Sequence, residues 1–386
     1  MDYSDYYEKH QLHDSSLYDD DQKRAVRSFV FVCIVLILVA SGLITLYSAS
    51  YDEALKMGLP SSYFFRRQLL FALSGFAAFV LLSFIPLKLI RIAVIPLLIL
   101  SVVLMLLTIL TPLGVEKMGA RRWIQIGPLP SFQPSELIKV SVILALAAVY
   151  EKTSDKASAK RILIAPLFLI MVSAVLILAQ KDYSTTLVFV TVTLSVAIVG
   201  GLSVPVFLMI GAFLAVPAVI FILIEPYRIR RIVSFLFPSI DPTGINWQVN
   251  KSIEAIRSGQ VFGKGLGQGT YKLGLIPEVH SDFIFASFSE EMGLIGIMAL
   301  VLLFLLFFFI GVSVALQNIG EHRFIAFASL GITMMIIGQA IVNIAVVTSL
   351  LPPTGIPLPF FSQGGTNLFV VICECGLLHR FMKEGA

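Results

Sequence analysis

The chain has 386 residues, 57% of them hydrophobic and only 13% charged, with a formal net charge of +4 and a mean hydropathy of +0.91. A water-soluble domain of this length needs far more polar surface, so a soluble globular protein is excluded. Several apolar runs reach the roughly 20 residues that carry a helix across a hydrocarbon core of about 30 Å. The expected fold class is an all-α polytopic membrane protein.

Residues 1–27 are polar and acidic at first, then basic at Lys23, Arg24 and Arg27. They lack the apolar core of a signal peptide, so a cytoplasmic tail is expected. About ten spans follow, near 28–49, 66–86, 89–111, 134–150, 162–180, 185–201, 204–225, 283–313, 322–349 and 364–381. They make one transmembrane domain over 28–381, with a short cytoplasmic tail at 382–386 and one large external segment at about 226–282. Over the whole chain Lys and Arg divide almost evenly between the two sides. The positive-inside rule applies to short loops; with 226–282 set aside, the excess falls on the side of the N-terminus. The loop Glu151–Arg161, with Lys152, Lys156, Lys160 and Arg161, is the strongest anchor. Both termini are therefore expected in the cytoplasm.

The opposite face then carries Arg66, Arg67, Lys117, Arg121, Arg122, Arg228, Arg230, Arg231, Lys251, Arg257, Lys264 and Lys272. Any one of these suits a solvated loop or a lipid headgroup. As a set, on the side where topology disfavours them, they suggest a pyrophosphate or phospholipid-like substrate. Cys33, Cys373 and Cys375 all fall within spans, where thiols are usually inert packing residues. The five histidines have no zinc-ligand spacing to them.

Four segments are candidates for chemistry. In Gly119–Lys139, glycines and prolines exclude a regular helix through the first half, and Pro134 suits the first turn of a helix. Glu136 and Lys139 share a face of that helix, either as an ion pair near the membrane or as substrate contacts. Trp123 suits an interfacial anchor, directly after Arg121 and Arg122. In Gln180–Thr186, Asp182 reads equally well as a helix cap or as a functional carboxylate. Val261–Gly269 superficially matches a dinucleotide fingerprint, but no strand precedes it and no βαβ unit surrounds it; flexible backbone near a phosphate is the reading left. Just upstream, Trp247–Ser258 reads as a helix lying on the membrane interface. Leu351–Asn367, with four prolines and three glycines, cannot make a spanning helix. Irregular backbone at membrane depth must be buried in protein or line a cavity. A further stretch, Gly274–Gly296, leads His280 and Asp282 into an apolar helix that carries Glu290 and Glu291.

Together these segments resemble the SEDS family (shape, elongation, division and sporulation) of membrane peptidoglycan glycosyltransferases, over nearly all of 28–381. The resemblance rests on Gly119-Ala-Arg-Arg-Trp123 with Phe132-Gln-Pro-Ser-Glu136, on His280-Ser-Asp-Phe-Ile-Phe-Ala286 with Glu290-Glu-Met-Gly293, and on Pro357-Leu-Pro-Phe-Phe-Ser-Gln-Gly-Gly365. The Arg-Arg-Trp form, Tyr271-Lys-Leu and Leu275-Ile-Pro-Glu look more like the FtsW branch than the RodA branch. The resemblance implies polymerisation of lipid II at the outer face of the bacterial cytoplasmic membrane. An acceptor sugar hydroxyl attacks the anomeric carbon of the growing glycan, and undecaprenyl pyrophosphate leaves. It implies Asp282 as the catalytic carboxylate, with Arg121, Trp123, Glu136, Lys139, Asp182, His280 and Ser362 as substrate contacts. Positive charge for the leaving group would come from Arg121, Lys139 or a divalent cation such as Mg2+ or Mn2+. The implied partners are lipid II, the nascent glycan strand, a class B penicillin-binding protein transpeptidase and other division or elongation proteins; nucleic acid is not among them.

Asp282 suits the role on its own terms, since a sugar hydroxyl is activated by a carboxylate within hydrogen-bond reach; a helix-start carboxylate without a task is the plainer reading. Glu290 lies eight residues on, about 12 Å further along a helix and rotated by roughly 80°. It and Glu291 are expected to hold the bundle. The chain departs from the family at Gln180-Lys-Asp182, at Ser362-Gln-Gly-Gly-Thr-Asn367 and at His280-Ser-Asp282. The rival classes are a lipid II flippase, a RodA-like elongation polymerase and a non-catalytic scaffold for the transpeptidase. The ionisable residues gather at external helix ends rather than at the midplane, which disfavours the flippase.

Overall fold

The computed structural model describes residues 3–384 apart from 118, 126, 128–129, 153–158 and nearly all of 210–244. Its elements in chain order are α1 (Tyr3–Lys56), α2 (Tyr63–Phe84), α3 (Leu87–Leu110), β1 (Gly114–Lys117), β2 (Ala120–Ile124), α4 (Pro134–Glu151), α5 (Ala159–Ala179) and α6 (Tyr183–Val199), followed by α7 (Ile245–Ser258), α8 (Ile284–Asn318), α9 (Arg323–Val347) and α10 (Gly365–Glu384). Within α1 the stretch Gln22–Lys56 is apolar enough to cross a membrane, as are α2, α3, α8 and α9; α5 and α6 contribute shorter apolar helices. The first helix starts well before residue 28 and takes in the segment expected as a tail. The expected seventh span is helical at 204–209, and nearly all of the rest of it lies outside the described residues.

Burial sorts these helices into a centre and a rim. In α2 the buried positions Phe64, Gln68, Ala72, Gly75, Phe79 and Ser83 recur every three or four residues, which makes one stripe. That stripe packs on α10, its most extensive neighbour. Small residues set the closeness: a side chain at Gly376 would meet the backbone of Phe79, and one at Gly75 would press on Ile372. Without a hydrophobic driving force between helices in lipid, such close approach is what makes them associate. By contrast, α4 is buried on nearly every face from Pro134 to Tyr150, enclosed chiefly by α3, α9 and α5. A helix that is apolar all round belongs in the middle of a bundle. Charged residues on it are therefore inside protein.

Three irregular pieces cover one end of the helices. The first is the hairpin β1–β2, which the sequence reading does not anticipate. Its register pairs Gly114 with Ile124 and Val115 with Trp123. Ile124 also bridges to Phe132, which delivers the chain directly to Pro134 at the start of α4. The second is the segment 259–283, of glycines and turns, after α7; α7 packs on α8 and α9. The third is 349–364, which is non-helical as its prolines require. Its residues Ile356, Leu358, Phe360, Phe361 and Ser362 are buried, so the irregular backbone is enclosed in protein.

α8 is 35 residues long, about 52 Å, far more than a bilayer core requires. A non-helical residue, Gly293, divides it. Residues 284–291 above the break are all buried. Below it, Leu294, Ile295, Met298, Leu302 and Phe309 are exposed, as lipid-facing residues are.

Candidate active site

Asp282 lies one residue before the N-cap Phe283 of α8, at the junction where the segment 259–283 enters the bundle. Three neighbours hold this turn by its backbone. Asn343 of α9 donates from Nδ2 to the Asp282 carbonyl at 2.9 Å and to the Ile356 carbonyl at 2.7 Å. The Ser362 hydroxyl donates to the Ser281 carbonyl at 2.6 Å and accepts from Leu358 N–H at 2.8 Å. Gln363 N–H donates to the His280 carbonyl at 2.9 Å. The 354–364 segment is fixed in turn by the buried Gln68 of α2, whose amide donates to the Ser362 carbonyl and accepts from Gly364 N–H. The Ser281 hydroxyl donates to Asp282 Oδ1 at 3.1 Å. Beside the other carboxylate oxygen stands Gly355, at φ 73°, where an added Cβ would come within 3.2 Å of Oδ2.

The same segment borders a second group. Thr354 accepts a hydrogen bond through its carbonyl from the Ser184 hydroxyl of α6 at 2.8 Å. Two residues earlier, Asp182 stands at the N-cap position of α6 but makes no side-chain cap bond. Its carboxylate instead faces Arg122 Nη1 at 3.4 Å and Gln133 Nε2 at 3.5 Å. Arg122 also donates to the Lys181 carbonyl at 2.7 Å and keeps 27% of its side chain exposed. The alternation of β2 decides which arginine reaches this group, because neighbouring strand residues point to opposite faces. Arg121 turns the other way and donates to the carbonyls of Thr111 at 2.7 Å and Gly114 at 3.0 Å, closing the C-terminal end of α3. Trp123 follows Arg122 on β2, opposite Val115.

Deeper in the bundle, Lys139 Nζ meets Glu136 Oε2 at 2.9 Å, with both side chains almost wholly buried. Asn367 of α10 donates to the same oxygen at 2.8 Å. A cavity of about 10 Å³ adjoins this pair, lined by Glu136, Lys139, Thr185, Gln339 and Pro357 among others, which is room for about one water. Taken together, 354–357 runs between Asp282 on one side and the groups of Asp182 and Glu136 on the other.

His280 is buried, with its ring 5.1 Å from that of Phe64. Burial pushes its pKa below the ordinary value, against the upward pull of Glu53 and Asp282. Burial thus disfavours a positive charge on this ring.

The motifs miss Gln68 and Asn343 and contain Gln133 without giving it a role; a lone amide in an apolar helix is itself a signal that would have found the first two. Glu290 and Glu291 stand apart from Asp282, bound to the Gly-rich loop: Glu290 to Lys264 at 2.6 Å and Glu291 to Lys272 at 2.6 Å. The glycines of that loop approach the backbone of α8, since side chains at Gly259 and Gly263 would clash with the carbonyls of Ser289 and Glu291. All three cysteines are free thiols. Among the described residues, no group of three or more His, Cys, Asp or Glu could hold a metal ion.

Comparison with known proteins places this geometry. A family described as cell cycle protein (FTSW_RODA_SPOVE) matches residues 28–385. The chain is 38% identical to a probable peptidoglycan glycosyltransferase FtsW of Borreliella burgdorferi, over 92% of this chain and 96% of that one. It is 35% identical to the stage V sporulation protein E of Bacillus subtilis, over 92% and 97%. Among solved structures, it is similar to a chain studied for the structural coordination of polymerization and crosslinking by a peptidoglycan synthase complex (28% identity, TM-score 0.75, 92% and 98% covered). It is also similar to the rod shape determining protein RodA of Thermus thermophilus (25% identity, TM-score 0.68, 92% and 97% covered). A match over almost the full length, with the helical membrane fold and the broken 349–364 segment in place, makes this chain a member of the FtsW/RodA/SpoVE family of cell cycle proteins.

Proposed function

We propose that this chain is an FtsW-like peptidoglycan glycosyltransferase that polymerises lipid II at the outer face of the cytoplasmic membrane, in cell division, with Asp282 as the catalytic base. The observation that carries the reading is the setting of Asp282. Its backbone is clamped by Asn343 and Ser362, while Gly355 leaves space beside its carboxylate. The Ser281 hydroxyl orients one carboxylate oxygen, and a ligand's hydroxyl would approach the carboxylate past Gly355. In the reaction, Asp282 accepts the proton of the acceptor hydroxyl as its oxygen bonds to the anomeric carbon, and the bond from that carbon to the pyrophosphate breaks. Arg122, part-exposed on the external hairpin, supplies positive charge toward the leaving pyrophosphate. Asp182 and Gln133 orient that guanidinium. Glu136, Lys139 and Asn367 form the polar floor beneath, the buried His280 and Ser362 support the turn that carries Asp282, and Trp123 is a substrate contact on the hairpin.

Similarity to a chain from a complex that couples polymerization to crosslinking supports a class B penicillin-binding protein as partner, along with other division proteins. A divalent cation would need oxygen ligands from the substrate pyrophosphate beside any from Asp282, and EDTA titration of the assay tests it. Both termini are assigned to the cytoplasm, from the basic 151–161 loop.

The deciding experiment is glycan polymerisation from purified lipid II in detergent, comparing wild type with Asp282→Ala, each with and without the transpeptidase. Polymer from wild type and none from a folded, partner-binding Asp282→Ala is expected. Equal polymer from both would remove Asp282 from the chemistry. No polymer from either, with lipid II moved across vesicles, would favour a flippase.

A further inference from the structure

The break in α8 is closed from outside the helix. Gly293 sits at φ 64°, ψ −166°, a conformation essentially restricted to glycine. A continuous helix would run bonds from Leu294 N–H to the Glu290 carbonyl and from Ile295 N–H to the Glu291 carbonyl. Here the external loop takes all four of those groups. Lys264 and Gly265 N–H donate to the Glu290 and Glu291 carbonyls at 3.0 Å each, while Leu294 and Ile295 N–H donate to the Gln260 and Val261 carbonyls at 2.9 and 3.2 Å.

The side chains of the same two glutamates grip the rest of the loop. Glu290 Oε1 accepts from Lys264 Nζ at 2.6 Å, Thr270 N–H at 2.8 Å and the Thr270 hydroxyl at 3.0 Å; its Oε2 accepts from Tyr271 N–H at 3.1 Å. Glu291 accepts from Lys272 Nζ at 2.6 Å, the Ser48 hydroxyl of α1 at 2.6 Å and Gly267 N–H at 3.1 Å. The glutamate side chains are buried, to 0% and 1% exposure.

We propose that Glu290, Glu291 and Gly293 are positioning residues for Asp282: they hold the loop 259–272 as a splint across the break and so fix the stub 284–292, just before which Asp282 lies. The inference rests on the reading of Asp282 given above. The stub is held at its upper end by Asn343 and Ser362, and the splint holds its lower end, so the stub cannot turn about Gly293. The competing arrangement is a continuous α8 with the loop released. It would regain two helical bonds but give up four, and would leave two carboxylates without the loop donors that satisfy them, which is costly at such burial. The glutamates thus select the broken helix, and Gly293 permits it.

The test uses the purified full chain in detergent, with hydrogen–deuterium exchange over 260–272 and lipid II polymerisation measured on the same samples. Gly293→Ala cannot hold the break. It is expected to speed exchange over 260–272 by about tenfold or more, and to lower kcat by about tenfold or more with KM for lipid II within about twofold. Glu291→Gln, a milder change that keeps Gly293, is expected to move both readouts the same way by smaller factors. Asp282→Asn is expected to lose activity with wild-type exchange. Unchanged exchange in both splint variants, or released exchange with kcat within about twofold of wild type, would overturn the proposal. A wild-type chain inactive on lipid II would overturn the Asp282 reading and the positioning role with it, while the exchange arm, which needs no substrate, reports on the splint separately.

Discussion

Asp282 owes its place to backbone contacts from Asn343 and Ser362, so its side chain can be altered without removing those contacts. Asp282→Asn is therefore expected to lower polymerisation by about 10²- to 10⁴-fold, the range for loss of a general base, with a melting temperature in detergent close to wild type. A variant that melts early would make the loss structural and defeat the assignment. His280 behaves differently, because burial holds its pKa below the ordinary 6.5. Above that value both the folded and unfolded chains carry it neutral. As pH falls below it, the unfolded chain binds a proton that the folded chain does not, so stability declines until the folded ring is protonated as well. Wild type should thus lose more melting temperature between about pH 7.5 and 5.5 than His280→Asn. Equal losses would show that His280 is not the acid-sensitive group. Glu136 and Lys139 form a buried pair, and removing one partner strands the other charge. Glu136→Gln alone is expected to cost about 3–5 kcal/mol, and Glu136→Gln with Lys139→Met much less, in a double-mutant cycle of unfolding. Additive costs would mean that the two side chains are energetically independent.

Among the elements, the 349–364 segment and the β1–β2 hairpin do most to shape the site. Each is irregular for a reason visible in its residues. Prolines deny 351–359 a helix, and the positive φ of Gly355 lets the chain pass the Asp282 carboxylate without a side chain between them. Gly355→Ala would both strain that backbone and crowd Oδ2. A loss of polymerisation of about tenfold or more is expected, with lipid II binding by the detergent-solubilised protein retained. Wild-type turnover from this variant would show that the space beside Asp282 is not used by the acceptor. The hairpin contributes through its two-residue period, which points Arg121 at α3 and Arg122 at Asp182. Asp182, which the sequence offers as a helix cap, has its carboxylate turned to Arg122 and Gln133 instead.

For the whole molecule, the bundle places α4 and its ion pair in the centre, and puts the irregular pieces together over one end. That end is external if both termini are cytoplasmic. The native cysteines lie in α1 and α10, so single cysteines can report the orientation in a cysteine-free background. Gln268→Cys, exposed on the loop after α7, should react with a membrane-impermeant maleimide on intact cells, and Glu321→Cys, exposed between α8 and α9, should not. The reverse pattern would invert the topology and put Asp282 on the wrong face for lipid-linked substrate outside the cell.

The residues by themselves determined the class, most span positions and the segments of interest. Hydropathy, proline and glycine act locally, and the bilayer enforces their consequences. Pro134 starts α4 and Asp282 sits where loop becomes helix, as the sequence implies. What only the tertiary structure decided is which polar groups meet. That Glu290 binds a loop and Glu291 binds both that loop and Ser48 of α1, that Arg122 and not Arg121 faces Asp182, and that amides on α2 and α9 hold the site follows from contacts between residues far apart in the chain. Asn343 and Asp282 are 61 residues apart, and Gln68 and Ser362 are 294 apart. Sequence periodicity carries no information on such pairings. They are set by how closely small residues let the helices approach, and by the need of each buried polar group to find a partner.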